Sequence, residues 1–195
     1  MKLKPIEKIC KTTGRIVLYD EFREPDPEEL PGEGEPPRQW MSDGVAAYPL
    51  DGLPYLDEES VCAIFDVDHK RRDKMTISHK MALPEGVDFD DLHPGDSPLE
   101  PLNFKMSLGS DELCLFRDKD GALMVIKEVY RKPFDAWKEC ECYKRTDSGG
   151  KPYVAVIHGC VLRGVIYPYK IGDTLVETLG AVYNAAGVAV EQMRI

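Results

Sequence analysis

A chain of 195 residues with a hydrophobic fraction of 43% has the composition of a globular protein, which excludes an intrinsically disordered chain. No apolar run approaches the ~20 residues of a membrane-spanning helix, and the N-terminus lacks the apolar core of a signal peptide, so we expect a cytoplasmic protein. The formal net charge of −10 disfavours direct binding to DNA or RNA.

The first half of the chain predicts two helices, a hairpin and two further strands. Pro5 suits a first helical turn, Ile6, Ile9 and Cys10 share one face of it, and Gly14 follows as a stop signal. The Asp43-Gly44 pair between two short apolar runs is a hairpin signal. The predicted elements are a helix over 5–12, a strand over 15–19, a hairpin around 43–44, a helix over 57–65 capped by Asp57, and a strand over 75–80.

The second half of the chain predicts an antiparallel meander and a final helix. Short β-branched runs alternate with turn residues, which is typical of hairpin-joined strands. Asp173 and the apolar face that follows it predict a helix over 173–186. We therefore expect one α+β domain over residues 1–195, with an antiparallel sheet or meander and helices at both ends packed on it.

The negative charge is concentrated in two proline-containing segments. Residues 20–35 hold eight acids and one arginine, and residues 85–100 hold six acids without lysine or arginine. We expect acidic loops at about 20–38 and 85–101, which either serve solubility alone or offer an acidic surface to a basic partner. On the second interpretation, the candidate partner-binding residues are Glu24, Asp26, Glu28, Glu29, Asp88, Asp90 and Asp91.

No catalytic motif is present in the chain. It has no G-x-S-x-G elbow, no phosphate-binding glycine loop that leads into a helix and no dinucleotide fingerprint. The best metal candidates are Asp66, Asp68 and His69, together with Asp73. The cations that interleave with them would repel a metal ion; they are Lys70, Arg71, Arg72 and Lys74. We therefore predict neither a metal site nor a cofactor.

Residues 69–74, HKRRDK, form the densest basic cluster. Such a cluster could contact an acidic protein surface or a phosphate backbone. It contains no aromatic residue, so a solvated helix face explains it more simply.

The six cysteines predict reduced structural thiols. Cys10, Cys62, Cys114 and Cys160 each stand singly in an apolar stretch, where a thiol behaves as a small buried hydrophobe. Cys140 and Cys142 are two apart and share a face of a predicted strand, which is not the spacing of a redox pair.

Three segments carry a resemblance to known proteins: KPIEKICKTTGRIVLYD (4–20), QWMSDGVAAYPLDGLPYLDEESVCAIFD (39–66) and YVAVIHGCVLRGVIYPY (153–169). Together they resemble small prophage proteins of gut Firmicutes whose function is unassigned. Phage accessory proteins of this size and acidity include anti-CRISPR proteins, which block host defence by stoichiometric binding. The resemblance implies a phage context, and by analogy with anti-CRISPR proteins we expect a non-enzymatic binding protein that occupies a host nucleic-acid-handling complex, such as a CRISPR–Cas effector. The alternatives are a small metal-dependent nuclease or hydrolase centred on Asp66, Asp68 and His69, and a phage structural or assembly factor that forms homo-oligomers.

Overall fold

The computed structural model describes residues 1–22, 37–102 and 106–170, together with Gly172, Thr178 and Ala181. In this part of the chain three α-helices are present: α1 (Leu3–Thr13), α2 (Glu58–Ile64) and α3 (His69–Arg72). The strands are β1 (Arg15–Glu21), β2 (Arg38–Ser42), β3 (Ala46–Pro49), β4 (Thr76–Lys80), β5 (Ser97–Pro98), β6 (Glu100–Pro101), β7 (Met106–Leu108), β8 (Asp111–Arg117), β9 (Leu123–Lys127), β10 (Cys140–Thr146), β11 (Pro152–His158) and β12 (Val161–Ile166). Short 3₁₀ turns cover Glu128–Arg131 and Trp137–Glu139.

The strands form two sheets. The large sheet has the order β4-β1-β2-β3-β12-β11-β10-β5, and in the small sheet β8 pairs with β6, β7 and β9. Every pairing is antiparallel except that of β1 with β4. The predicted α+β class with a mostly antiparallel sheet is therefore confirmed.

The main core lies between the inner face of the large sheet, the small sheet and α1. Ile6 and Ile9 of α1, Leu18 of β1, Phe116 of β8 and Val156 of β11 belong to one buried cluster. The helix enters this core because its apolar residues recur at helical spacing, so that one face is buried while the lysines face outward. A second cluster covers the outer face of the large sheet around Trp40 and Tyr153.

The parallel pair of β1 and β4 determines where two of the helices lie. The first register pair is Arg15 with Thr76, and Thr76 N donates to Gly14 O at 2.9 Å. Gly14 ends α1 in the left-handed region at φ 69°, as a helix-stop glycine does. Because α1 precedes β1 and α3 precedes β4, parallel pairing brings both helices to the same end of the sheet.

Several local predictions are confirmed. Asp43 Oδ1 accepts hydrogen bonds from Val45 N and Ala46 N, both at 2.9 Å, and closes the predicted hairpin. Asp57 caps α2 by accepting from Ser60 N at 2.8 Å, and the Ser60 hydroxyl completes a capping box. Of the helix predicted over 173–186, only Thr178 and Ala181 are described, and both are helical; its other residues lie outside those described.

Two predictions are wrong at the level of single residues. The first acidic segment does not begin at residue 20, because Asp20 and Glu21 belong to β1 and the Asp20 side chain is wholly buried. Cys160 is exposed, since it lies in the tight turn between β11 and β12, where the apolar residues around it belong to the strands. The other three singly placed cysteines are buried, and all six thiols are free.

Candidate functional site

Residues 83–96, which we call the acidic segment, lie across the outer face of the large sheet. Leu83, Val87 and Phe89 pack against the apolar cluster of that face. The Phe89 ring meets Trp40 edge to face, with 4.8 Å between ring centroids. The apolar residues of this segment therefore bind it to the sheet, which a purely solvated loop would not require.

Arg145 of β10 anchors the acidic segment to the large sheet. Its side chain is 4% exposed and donates to both carboxylate oxygens of Asp96, from Nε at 2.7 Å and from Nη2 at 2.6 Å. The same guanidinium donates to the carbonyl oxygens of Asp90 at 2.6 Å and Asp91 at 2.9 Å. One buried side chain thus fixes both the backbone and the far end of the segment.

The electrostatics of this anchor keep both partners charged. Burial alone would raise the pKa of Asp96, but the hydrogen bond and charge of Arg145 outweigh it and lower that pKa. For Arg145, burial would lower the pKa, but the hydrogen bond that it donates to Asp96 and the charge of Asp88 raise it instead. The pair is therefore an ionised, two-bonded contact.

Further bonds hold the segment along its length. Tyr153 Oη accepts from Asp88 N at 3.0 Å and donates to Asp88 O at 3.2 Å. Asp91 Oδ1 accepts from Leu162 N at 2.7 Å, at the start of β12. The segment is consequently tied to β10, β11 and β12.

Asp88, Asp90 and Asp91, three of the candidate partner-binding residues, lie in this segment and have different contacts. Asp88 Oδ2 lies 2.9 Å from His93 Nε2, and its Oδ1 accepts from Asp90 N at 2.7 Å. In the described part of the chain the exposed carboxylates of Asp90 and Glu85 make no hydrogen bond or ion pair. Asp90 and Glu85 are therefore the carboxylates of the segment that remain available to a partner.

The remaining predicted partner-binding residues lie outside the described residues. These are Glu24, Asp26, Glu28 and Glu29.

The acids around His93 are not arranged as a metal centre. His93 Nε2 lies 2.9 Å from Asp88 Oδ2 and 3.4 Å from Asp96 Oδ1. Both oxygens of Asp96 already accept from Arg145, and a guanidinium at this distance would repel a cation. Across residues 1–22, 37–102 and 106–170, no group of three or more His, Cys, Asp or Glu could hold a metal ion.

The metal candidates that the sequence suggested, Asp66, Asp68 and His69, instead take part in local backbone structure. Asp68 caps α3 by accepting from Arg71 N at 2.7 Å, and His69 is the first residue of that helix. Asp66 adopts a positive φ of 47° at the end of α2. These residues therefore shape the chain between α2 and α3.

A buried polar cluster around Asp20 was missed by the sequence analysis. Its carboxylate accepts from Gln39 Nε2 at 3.0 Å and Tyr55 OH at 2.7 Å, and lies 2.9 Å from His79 Nε2. Burial would raise the pKa of Asp20, but these hydrogen bonds outweigh it and lower that pKa. The sequence signal that could have indicated this cluster is the acid that directly follows the apolar run RIVLY. The cluster links β1, β2 and β4.

A cleft of about 660 Å³ between the two sheets was also missed. Cys114, Cys140 and Cys142 line it, with Arg131 and Trp137 at the other wall. Arg131 Nη1 donates to Glu128 Oε2 at 2.9 Å and to Cys114 Sγ at 3.1 Å. Burial raises the pKa of Cys114 to about 11 and that of Cys142 to about 12. These thiols are protonated at neutral pH and are poor nucleophiles.

No protein-family model matches the sequence, and neither a curated protein nor a solved structure matches the chain. In the described residues no helix has the length and apolar character needed to cross a membrane.

Proposed function

We propose that the protein is a non-catalytic binding protein whose acidic segment engages a basic surface of a partner protein. The observation that supports this most directly is the anchoring by Arg145, which holds the segment by bonds to Asp96 and to two successive carbonyl groups. An acidic loop that serves only solubility needs no such anchor. Carboxylates held in place lose less conformational entropy on binding.

Charge determines the chemistry of the partner. The acidic segment carries five carboxylates without a lysine or arginine of its own, and Arg145 is the cation buried against it. A surface of this kind attracts a basic surface over about one Debye length, ~8 Å at physiological salt. The partner in this proposal is a host nucleic-acid-handling complex. A CRISPR–Cas effector is the specific candidate that the sequence resemblance implies. The acidic segment would compete there with DNA.

The experiment uses affinity capture of host proteins with two charge-matched variants. Glu85→Gln with Asp90→Asn neutralises the two unpaired carboxylates and leaves the bonds of Arg145 and Asp91 intact. Glu59→Gln with Glu112→Gln removes the same charge from exposed positions on α2 and β8. Because neither pair of changes removes a buried contact, both variants should fold as the wild type does.

The proposal expects a nucleic-acid-binding complex that the wild type and the control variant both capture. The Glu85→Gln, Asp90→Asn variant should lose it, and raising the salt from about 0.05 M to about 0.5 M should release it, since Debye screening shortens from ~13 Å to ~4 Å. The captured complex should also release its DNA as this protein is added. Equal capture by all three proteins at both salt levels would show that the acidic segment is not the binding surface.

A further inference from the structure

A basic groove lies between α1 and the α3–β4 turn, on a chain whose overall charge is negative. The groove has a volume of about 630 Å³. Five cationic side chains line it, contributed by α1 (Lys4, Lys8 and Lys11), by α3 (Arg71) and by the turn before β4 (Lys74). Among the described residues that line it, the only acid is Glu7, which is paired with Lys11 at 2.7 Å.

Helix periodicity and sheet topology together produce this groove. Lys4, Lys8 and Lys11 are spaced i, i+4 and i+7, so they project from one face of α1. Parallel pairing of β1 with β4 then places the basic residues after Asp68 beside that face, although some 60 residues separate the two segments. The close approach is direct, because a Cβ on Gly14 would stand 3.7 Å from Lys74 O.

Four of these five cations have no counter-ion among the residues that the structure describes. In the described ranges the side chains of Lys4, Lys8, Arg71 and Lys74 form no ion pair and no hydrogen bond, and all four residues are exposed. Like charges gathered in one groove repel one another and lower the stability of the fold. An anion that bound all of them would remove this repulsion and gain charge-assisted hydrogen bonds.

We propose that this basic groove binds a small molecule that carries two or more linked phosphate groups. The groove volume falls in the range of about 300–1,000 Å³ that is typical of small-molecule sites. Its cations stand on both walls, so they can surround a compact anion. The described lining residues include no aromatic side chain on which a base could stack, and the net charge of −10 opposes an extended polyanion such as a nucleic acid. The chemistry therefore favours recognition of the phosphates themselves.

The test is calorimetric titration of the full chain with inorganic tripolyphosphate at low salt. Lys8→Gln with Lys74→Gln removes one cation from the α1 side of the groove and one from the α3–β4 side. A second variant, Lys4→Gln with Arg71→Gln, does the same. Lys70→Gln with Lys132→Gln is the control, because both lysines are exposed and neither lines the groove. Orthophosphate and a single-stranded oligonucleotide are titrated for comparison, and circular dichroism verifies the fold of each variant.

We expect saturable one-to-one binding of tripolyphosphate and a higher melting temperature in its presence. Each groove variant should bind at least about tenfold more weakly, since every lost charge-assisted bond is worth about a factor of ten. The control variant should bind as the wild type does, and orthophosphate should bind at least about tenfold more weakly than tripolyphosphate. Absence of saturable binding, or equal binding by the groove and control variants, would overturn the proposal. Tighter binding of the oligonucleotide than of tripolyphosphate would assign the groove to nucleic acid instead. The acidic segment contributes no residue to the groove, so this result is independent of the proposed function.

Discussion

Arg145 and Asp96 form a two-bonded ion pair across 49 residues of sequence, with Nε–Oδ1 and Nη2–Oδ2 distances of 2.7 and 2.6 Å. Their side chains are only 4% and 1% exposed. This pair turns a sequence segment with the composition of a loop into an ordered surface on the large sheet. Both the stability of the fold and the proposed binding function therefore depend on it.

We predict that Arg145→Met lowers the free energy of unfolding by about 3–5 kcal/mol, because it leaves the buried Asp96 carboxylate without its partner. Urea denaturation measures this change. The control is Arg117→Met, which breaks the exposed pair with Glu100 at 2.6 Å and should cost about 1 kcal/mol or less. Equal losses in the two variants would mean that the Arg145 anchor has no special role.

The Asp20 cluster predicts how stability depends on pH. The pKa of Asp20 is lower in the folded chain than its usual value, so the carboxylate contributes stability above the unfolded pKa of about 3.9. That contribution is lost as the pH falls through the folded pKa. We expect the wild type to lose stability steeply below about pH 4 and Asp20→Asn to show a shallower slope there. Urea midpoints measured across this range compare the two proteins, and identical slopes would contradict the assignment.

The thiols should differ widely in their reactivity towards iodoacetamide. Cys160 is exposed, whereas burial raises the pKa of Cys10 and of Cys142 to about 12 each. We predict one fast-reacting thiol in the native protein, at Cys160, and six reactive thiols after denaturation without reductant. Peptide mass mapping identifies the labelled positions. Rapid labelling of Cys142 in the folded protein would show that the inter-sheet cleft opens readily.

Local features of the fold could be predicted from the sequence because their causes are local. The cap at Asp57, the hairpin at Asp43 and the helix stop at Gly14 each depend on residues within four positions of one another. Strand periodicity likewise predicted the meander of β10, β11 and β12.

The contacts of the candidate site could not be predicted, because they join residues that are distant in the sequence. In the sequence nothing distinguishes Arg145 from other strand arginines, because its partner Asp96 is 49 residues away. Asp20 likewise has the position of the first acid of a loop, and only the fold places Gln39 and His79 around it. The parallel pairing of β1 with β4, which creates the basic groove, was likewise not predicted. Two other strands, β2 and β3, lie between them in the sequence, and no local signal shows which strand β4 joins.

Gly14, which joins α1 to β1, offers a test of how backbone conformation restricts a position. It adopts φ 69° at the end of α1, and a Cβ there would meet its nearest atom, Lys74 O, at an ordinary 3.7 Å. The position is therefore restricted by backbone conformation and has space for a methyl group. We predict that Gly14→Ala lowers the free energy of unfolding by about 1–2 kcal/mol, and that Gly14→Asn lowers it by less, since asparagine tolerates the left-handed region.

The contrasting position is Gly164 of β12, where a Cβ would stand 2.7 Å from Phe134 Cζ. Gly164→Ala should destabilise by about 1–3 kcal/mol through overpacking, and Phe134→Leu in the same chain should recover part of that loss. Phe134→Leu should have no such effect on Gly14→Ala, because the cause at Gly14 is conformational. Urea denaturation of the five variants separates the two mechanisms. If Gly14→Asn proves as destabilising as Gly14→Ala, the left-handed backbone conformation is not what restricts this position, and the prediction is wrong.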